Sequence, residues 1–206
     1  MTGRFISLIS LLTLCFSASG QNVVTDFAST LRGKCASFGY SYSISGQVPV
    51  SGSGTVKLQG ESFTMKGDGL EIYCDGKDRW TVDTEAEECY IESVDTGTLD
   101  VESNPALLVG AVDKAFKFQK VKSSTFNGKS VREALLIPSP KNGNIKEVSL
   151  FLTASEVPAG AMITTEDGTF ITITVKDFVL SGMVDSGTFS FNTKNLSKNF
   201  IITDLR

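Results

Sequence analysis

Alternation of hydrophobic and polar residues runs through most of the chain, and this pattern predicts β-strands. Leu70, Ile72 and Cys74 occupy alternate positions, as in a strand with one buried face. An Asp-Gly turn follows, and residues 79–82 and 88–93 continue as the second and third strands of an antiparallel meander. Earlier strands are predicted at 37–45, 55–59 and 63–66, with a glycine-rich break at 51–54, and the same period returns from 116 to 203, including a strand at 188–191. The pattern therefore predicts about ten strands.

Two segments change to the period of an amphipathic helix. Residues 23–32 place an apolar stripe on one face, and Gly33 follows as the C-terminal cap. Asn104 and Pro105 suit the N-cap and first position of a second helix. The second stripe runs into Phe116 and comprises Leu107, Leu108, Ala111, Val112 and Ala115. Both helices are expected to dock on the sheet.

A twisted antiparallel sheet of this size tends to curl into a barrel or to split into a sandwich. The concave face is predicted to carry the large apolar side chains Phe38, Tyr40, Leu58, Phe63, Met65, Leu70, Ile72 and Trp80. The helices would cap the open side and add Phe27, Leu31, Leu107, Leu108, Val112 and Phe116. The space between them is either a packed core or a lidded apolar cavity suited to an acyl chain. Periodicity alone favours the packed core.

Composition excludes several classes of function. The 206-residue chain has a net charge of −4 without a basic block, which argues against nucleic-acid binding. It contains no histidine, so the usual Ser-His-Asp and Cys-His sites and the commonest metal ligand are absent. The best candidate for an enzyme or metal site is the acidic group Asp83, Glu85, Glu87 and Glu88, and its spacing fits a solvated turn better. We expect neither catalysis nor a cofactor.

The first twenty residues are typical of a secretory signal. Arg4 precedes an apolar run at 5–16, and small residues follow at 17–20. The run is short for a membrane span. We therefore predict an exported, non-spanning protein that consists of a single domain over residues 21–206, because no linker interrupts the chain.

Three cysteines remain after such cleavage: Cys35, Cys74 and Cys89. Export would place them in an oxidising compartment, where an odd number allows at most one internal bridge. Cys74 and Cys89 fall on the outer strands of the predicted meander, and two strand spacings of roughly 9–10 Å exceed the reach of a disulfide. Buried free thiols are therefore favoured over a bridge.

Several short motifs, taken together, resemble LolA-type periplasmic lipoprotein carriers. The resemblance rests on the order and spacing of CDGKDRW at 74–80, NPALL at 104–108, LIP at 136–138, NGNIKEV at 142–148, DGT at 167–169 and FSF at 189–191. It covers nearly all of the chain after the signal. One motif departs: the family's early Arg-Pro pair is missing from 56–60, where Lys57 is the nearby cation.

The resemblance implies an incompletely closed, strongly curved antiparallel β-barrel with a short-helix lid and an apolar cavity, hence a mainly β (α+β) class. It implies a carrier that takes acylated lipoproteins from an inner-membrane release complex and delivers them to an outer-membrane acceptor. The alternative is a non-enzymatic envelope sensor or binding module of the same fold, for lipid or lipoprotein.

Overall fold

The computed structural model describes residues 18–46, 48–94, 112–139 and 144–206. Within these ranges two α-helices, α1 (Ala18–Leu31) and α2 (Val112–Ala115), accompany twelve strands. The strands are β1 Cys35–Ile44, β2 Val50–Gln59, β3 Ser62–Gly67, β4 Leu70–Cys74, β5 Asp78–Asp83, β6 Glu88–Ser93, β7 Phe116–Phe126, β8 Lys129–Pro138, β9 Ile145–Leu152, β10 Pro158–Thr165, β11 Phe170–Ser181 and β12 Ile201–Asp204.

All twelve strands belong to one curved sheet with the order β12-β6-β5-β4-β3-β2-β1-β11-β10-β9-β8-β7. Neighbouring strands pair antiparallel except β12, which runs parallel to β6. Among the described strands β7 and β12 are the two edges, so the sheet curls without closing. This confirms the predicted mainly β, incompletely closed architecture.

The two faces of the sheet carry different sets of apolar side chains. The inner face carries Phe38, Ile72 and Leu150, and α1 packs against it over β7 and β8. The outer face carries Tyr73 and Trp80. Because side chains alternate along each strand, these residues define the faces for the rest of the sheet.

Helix α1 forms where the helical period was predicted and extends further towards the N-terminus. Its stripe of Val23, Val24, Phe27, Ala28 and Leu31 is buried, and Phe27 is fully so. Gly33 has a φ of 68°, a left-handed conformation that suits glycine after a helix, and the amide of Lys34 donates to the Leu31 carbonyl at 3.2 Å. The stripe packs with Val112, Ala115 and Phe116 and with inner-face residues of β8 to β10 into one core.

Two local predictions were wrong. Residues 51–54 are not a break but part of β2, because Tyr40 and Tyr42 of β1 pair opposite Gly54 and Gly52 and their rings need the space that a Cβ would take. Residues 188–191 do not form a strand. Ser186–Phe189 is a 3-10 helix, and the side chain of Asp185 caps it by accepting from the amide of Gly187 at 2.8 Å.

Some of the predicted elements lie outside the described residues. This holds for 1–17 of the predicted signal and for 95–111, which contains the predicted start of the second helix. Ala18–Leu31 begins with three residues that we assigned to the signal. The signal and the single-domain boundary stay predictions.

Candidate functional site: an apolar cavity on the inner face

Curvature of the sheet encloses a cavity of about 390 Å³ on its inner face. One wall comes from β1 to β4 and the other from β9 to β11, and the two walls are joined by the pairing of β1 with β11, so seven adjacent strands curl around the cavity. The lining residues are Phe38, Tyr40, Tyr42, Val56, Phe63, Met65, Gly67, Asp68, Leu70, Ile72, Leu150, Pro158, Gly160, Ala161, Ile171, Ile173 and Val175. The volume falls within the range of small-molecule sites.

Strand register explains why the first wall is continuous. Phe38 pairs opposite Val56, Val56 opposite Met65, and Met65 opposite Ile72, so four apolar side chains form one row across four strands. Directly opposed residues point to the same side of a sheet. The row therefore presents a smooth hydrocarbon surface to the cavity.

The lining of the cavity is buried in part and exposed in part. Phe63, Leu150 and Ala161 are almost fully buried. Near the β3–β4 turn, Leu70 is 38% exposed, Asp68 is exposed and Tyr42 is half-buried. A ligand would therefore enter between β1 and the β3–β4 turn, which we call the mouth, defined by Tyr40, Tyr42 and Asp68.

The mouth contains the polar groups of an otherwise apolar lining. Asp68 and Gly69 form the two-residue turn between β3 and β4, with φ values of 53° and 78°, as this hairpin turn requires. Asp68 Oδ1 accepts a hydrogen bond from the amide of Ser53 at 3.3 Å, and the Tyr42 hydroxyl lies beside the Asp68 carboxylate. Burial, followed by the nearby Asp68 carboxylate, raises the pKa of both Tyr40 and Tyr42.

Glycines beneath the mouth allow this arrangement. A Cβ at Gly54 would lie 2.8 Å from the Tyr40 hydroxyl oxygen, and one at Gly52 would lie 2.7 Å from a Tyr42 ring carbon and would also overlap the Asp68 carboxylate. The two rings stack with centroids 6.3 Å apart. Replacing either glycine would displace the mouth.

Comparison with known proteins identifies the family of the chain. A protein-family model described as outer membrane lipoprotein carrier protein LolA matches residues 43–192, well over half of the chain. The chain belongs to the LolA family. No curated protein matches its sequence.

Solved structures share the fold of this LolA-family chain at low sequence identity. An uncharacterised conserved protein from Thermus thermophilus superposes with a TM-score of 0.57 and 10% identity, covering 90% of this chain and 99% of that one. A LolA superfamily protein from Nitrosomonas europaea gives a TM-score of 0.50 and 10% identity, covering 84% and 97%. In the part of the LolA-family chain that the structure describes, no helix has the length and hydrophobicity to cross a membrane.

The structure brings six of the predicted site residues of the LolA-family chain together at the cavity. These are Phe38, Tyr40, Phe63, Met65, Leu70 and Ile72. Leu58 is buried beside Phe63 and Cys74 without lining the cavity. Four others, Phe27, Leu31, Val112 and Phe116, pack in the core around α1. Leu107 and Leu108 lie outside the described residues.

Trp80 is on the other face, which corrects its assignment to the concave surface. It pairs directly opposite Tyr73, whereas Ile72 pairs opposite Thr81. Trp80 therefore packs with Val82, Cys89 and Ile91 on the outer face, beneath a covering segment that contributes Phe191, Leu196 and Phe200. The predicted role of Trp80 in lipid contact does not fit this position.

The second wall of the cavity was missed by sequence reasoning. Leu150, Ala161, Ile171, Ile173 and Val175 belong to strands that were predicted, but none of these five residues was assigned to the site. The alternating pattern in β9 to β11 carries the signal for an apolar face. Knowing that this face opposes β1 to β4 requires the sheet order.

The other candidate groups have structural roles in the described chain. Asp83 Oδ1 accepts from the amides of Glu85 and Ala86 at 2.9 and 2.8 Å, so the acidic group stabilises its own turn. No metal-binding group of His, Cys, Asp or Glu occurs among the described residues. On alternation from Leu58, Lys57 faces away from the cavity.

The three described cysteines are free and buried, as predicted. Cys74 packs on the inner face with Leu58 and Phe63, whereas Cys89 packs on the outer face with Trp80. Burial raises the pKa of both thiols. They behave as small apolar side chains rather than as reactive groups.

Proposed function

We propose that this LolA-family chain is a periplasmic carrier that binds the acyl chain of a lipoprotein, or another lipid, in the inner-face cavity and delivers it to the outer membrane. The observation that carries the proposal is the cavity itself, about 390 Å³ of space with one charged residue among its lining side chains. A packed core would leave no such space. The family description, a lipoprotein carrier, supports the same class of cargo.

The energetics of an acyl chain suit this site. Each CH₂ removed from water contributes about 0.8 kcal/mol, and the Phe38–Val56–Met65–Ile72 row provides an apolar surface for it. A carrier must also release its cargo. A site with an exposed mouth between the β3–β4 turn and β1 supports release better than a sealed core, because the chain can leave without unfolding the sheet.

The carrier hypothesis requires no chemistry from the protein. The cavity lining offers no group placed to act as nucleophile and base together, and its polar groups sit at the mouth. We therefore propose binding and transfer without catalysis, with a membrane complex as donor and an outer-membrane acceptor as recipient.

The first experiment is native mass spectrometry of the protein purified from the periplasm without detergent. We expect a discrete mass excess that organic extraction removes. An apo mass, combined with no uptake of N-phenyl-1-naphthylamine (an uncharged fluorescent probe of apolar sites), would overturn the proposal.

A cavity-filling variant tests the location. Val175 lines the cavity from β11, so Val175→Trp should occupy the space without burying a charge and weaken probe binding at least about tenfold. Thr172→Trp is the matched control, because Thr172 lies on the same strand and points to the outer face. Full binding by folded Val175→Trp, with circular dichroism as the check of folding, would place the ligand elsewhere.

A further inference from the structure

We infer that Asp68 makes the cavity selective for acyl chains whose polar head is uncharged and donates hydrogen bonds, and that it disfavours anionic heads such as carboxylates. This inference rests on the proposed lipid-binding function and names the class of ligand. It follows from where the charges of the described residues lie.

The charged group at the mouth is a hydrogen-bond acceptor. The Ser53 amide donates to Asp68 Oδ1, and the Tyr42 hydroxyl lies beside the same carboxylate. A ligand therefore meets lone pairs on the carboxylate and on the tyrosine oxygens, with the Tyr40 hydroxyl as the remaining donor. An amide N–H or a glycerol hydroxyl complements these atoms, whereas a carboxylate or phosphate supplies only further acceptors.

No cation among the described lining residues compensates for Asp68. The cavity lining includes neither lysine nor arginine. Lys66, next to the mouth in sequence, pairs with Glu71 at 2.8 Å and lies over the Tyr73 ring, which belongs to the outer face. A ligand carboxylate seated between Asp68 and Tyr42 would therefore face a like charge that no cation of the lining compensates.

The size of the preference follows from the exposure of Asp68. Its side chain is solvated, so like-charge repulsion at a separation of about 4 Å weakens binding by about fivefold at low salt. The acyl tail contributes equally to all ligands of one chain length. The head group alone then sets the ranking.

The test is displacement of N-phenyl-1-naphthylamine by three ligands that share one acyl chain, at low ionic strength. Dodecanoate carries an anionic head, dodecanoylglycerol a neutral head with hydroxyls, and an N-dodecanoyl peptide amide a neutral head with amide N–H groups. We expect both neutral ligands to compete about fivefold better than dodecanoate. The stronger of the two identifies a glycerolipid or an acylated polypeptide as the source of the head.

Asp68→Asn should remove the difference. Asparagine keeps the oxygen that accepts from Ser53, and it tolerates the left-handed conformation at this position, so the turn is retained. Asp75→Asn is the matched control: Asp75 lies in the turn at the other end of β4 and likewise accepts backbone hydrogen bonds, from the amides of Lys77 and Asp78. It should leave the preference unchanged.

The outcomes separate the two proposals. Equal competition by all three ligands would overturn the selectivity and leave the lipid-binding function standing. A preference that survives in Asp68→Asn would overturn its assignment to this residue. Failure of the wild-type protein to bind the probe or any ligand would overturn the proposed function, and the selectivity with it.

Discussion

The two halves of the sheet are covered from opposite sides. Over β7 and β8 the apolar layer is the helix α1, which covers the inner face with side chains such as Phe27. Over β4 to β6 the covering layer lies on the outer face, where Phe191, Leu196 and Phe200 pack against the Trp80 cluster. The inner face of β1 to β4 is left to the cavity.

This difference shows how the fold keeps a cavity open. A strand needs one face packed, and the packed face need not be the one that faces the barrel interior. In the half that contains the cavity, the covering segment packs on the outer face of the sheet. This half therefore has a hydrophobic core, and the space for a ligand on the inner face stays open. Gln59 strengthens the outer cover, since its side-chain amide exchanges hydrogen bonds of 3.2 and 2.8 Å with the backbone of Val184.

Truncation of an apolar side chain should give the largest difference in stability loss between the two halves of the sheet. Phe27→Ala, in the packed half, is expected to lower the free energy of unfolding by about 3–5 kcal/mol, because it empties a fully buried site. Met65→Ala, which enlarges an existing cavity, should cost about 1 kcal/mol. Urea unfolding measures both, and equal costs would mean that Met65 lies in a packed core.

Enlarging an apolar side chain should give the second-largest difference in stability between the two halves. Ala134→Leu inserts carbon atoms into the packed half, where Ala134 is fully buried, and is expected to cost about 1–3 kcal/mol. Val56→Leu adds one carbon facing the cavity and should change stability by less than about 0.5 kcal/mol. Thermal unfolding provides the comparison, and a large loss for Val56→Leu would contradict an open space at that position.

The smallest effect belongs to the exposed outer surface of the cavity half. Hydrogen bonds from Lys66 and then Tyr73 lower the pKa of Glu71, so the pair stabilises the protein above the ordinary glutamate pKa and that contribution is lost as the pH falls through the lowered value. The side chains of Lys66 and Glu71 are 48% and 34% exposed, and solvent screens the pair, so Glu71→Gln should cost less than about 0.5 kcal/mol at neutral pH.

Unfolding of the wild type and Glu71→Gln at pH 7 and at pH 3 measures this contribution. The difference between the two proteins should shrink at the lower pH. A difference that grows on acidification would mean that the pKa of Glu71 is raised rather than lowered.

The sequence allowed the sheet and one wall of the site to be predicted, because alternation within a strand identifies its apolar side directly. It placed Phe38, Met65 and Ile72 on one surface without any knowledge of pairing. The prediction that Trp80 lies on the concave face was wrong, because the face of β5 relative to β4 depends on the register of the hairpin. A shift of one residue exchanges the two faces.

The remaining errors have a similar origin in tertiary contacts. Gly52 and Gly54 have the local composition of a loop, and the close approach of the tyrosine rings, of Asp68 and of the Lys66 carbonyl explains their place in a strand. The wall from β9 to β11 joins the site through curvature of the whole sheet. No local pattern encodes that curvature, although each strand in it was predicted.

Leaving the sheet open also affects how copies of the molecule meet one another. Among the described strands β7 and β12 are the edges of the sheet, and an edge strand can template pairing with a second chain. The β7 edge carries Lys117 and Lys120, and two such edges brought together would align like charges. The lysines thus disfavour pairing between two β7 edges, at one border of a sheet that stays unclosed around its cavity.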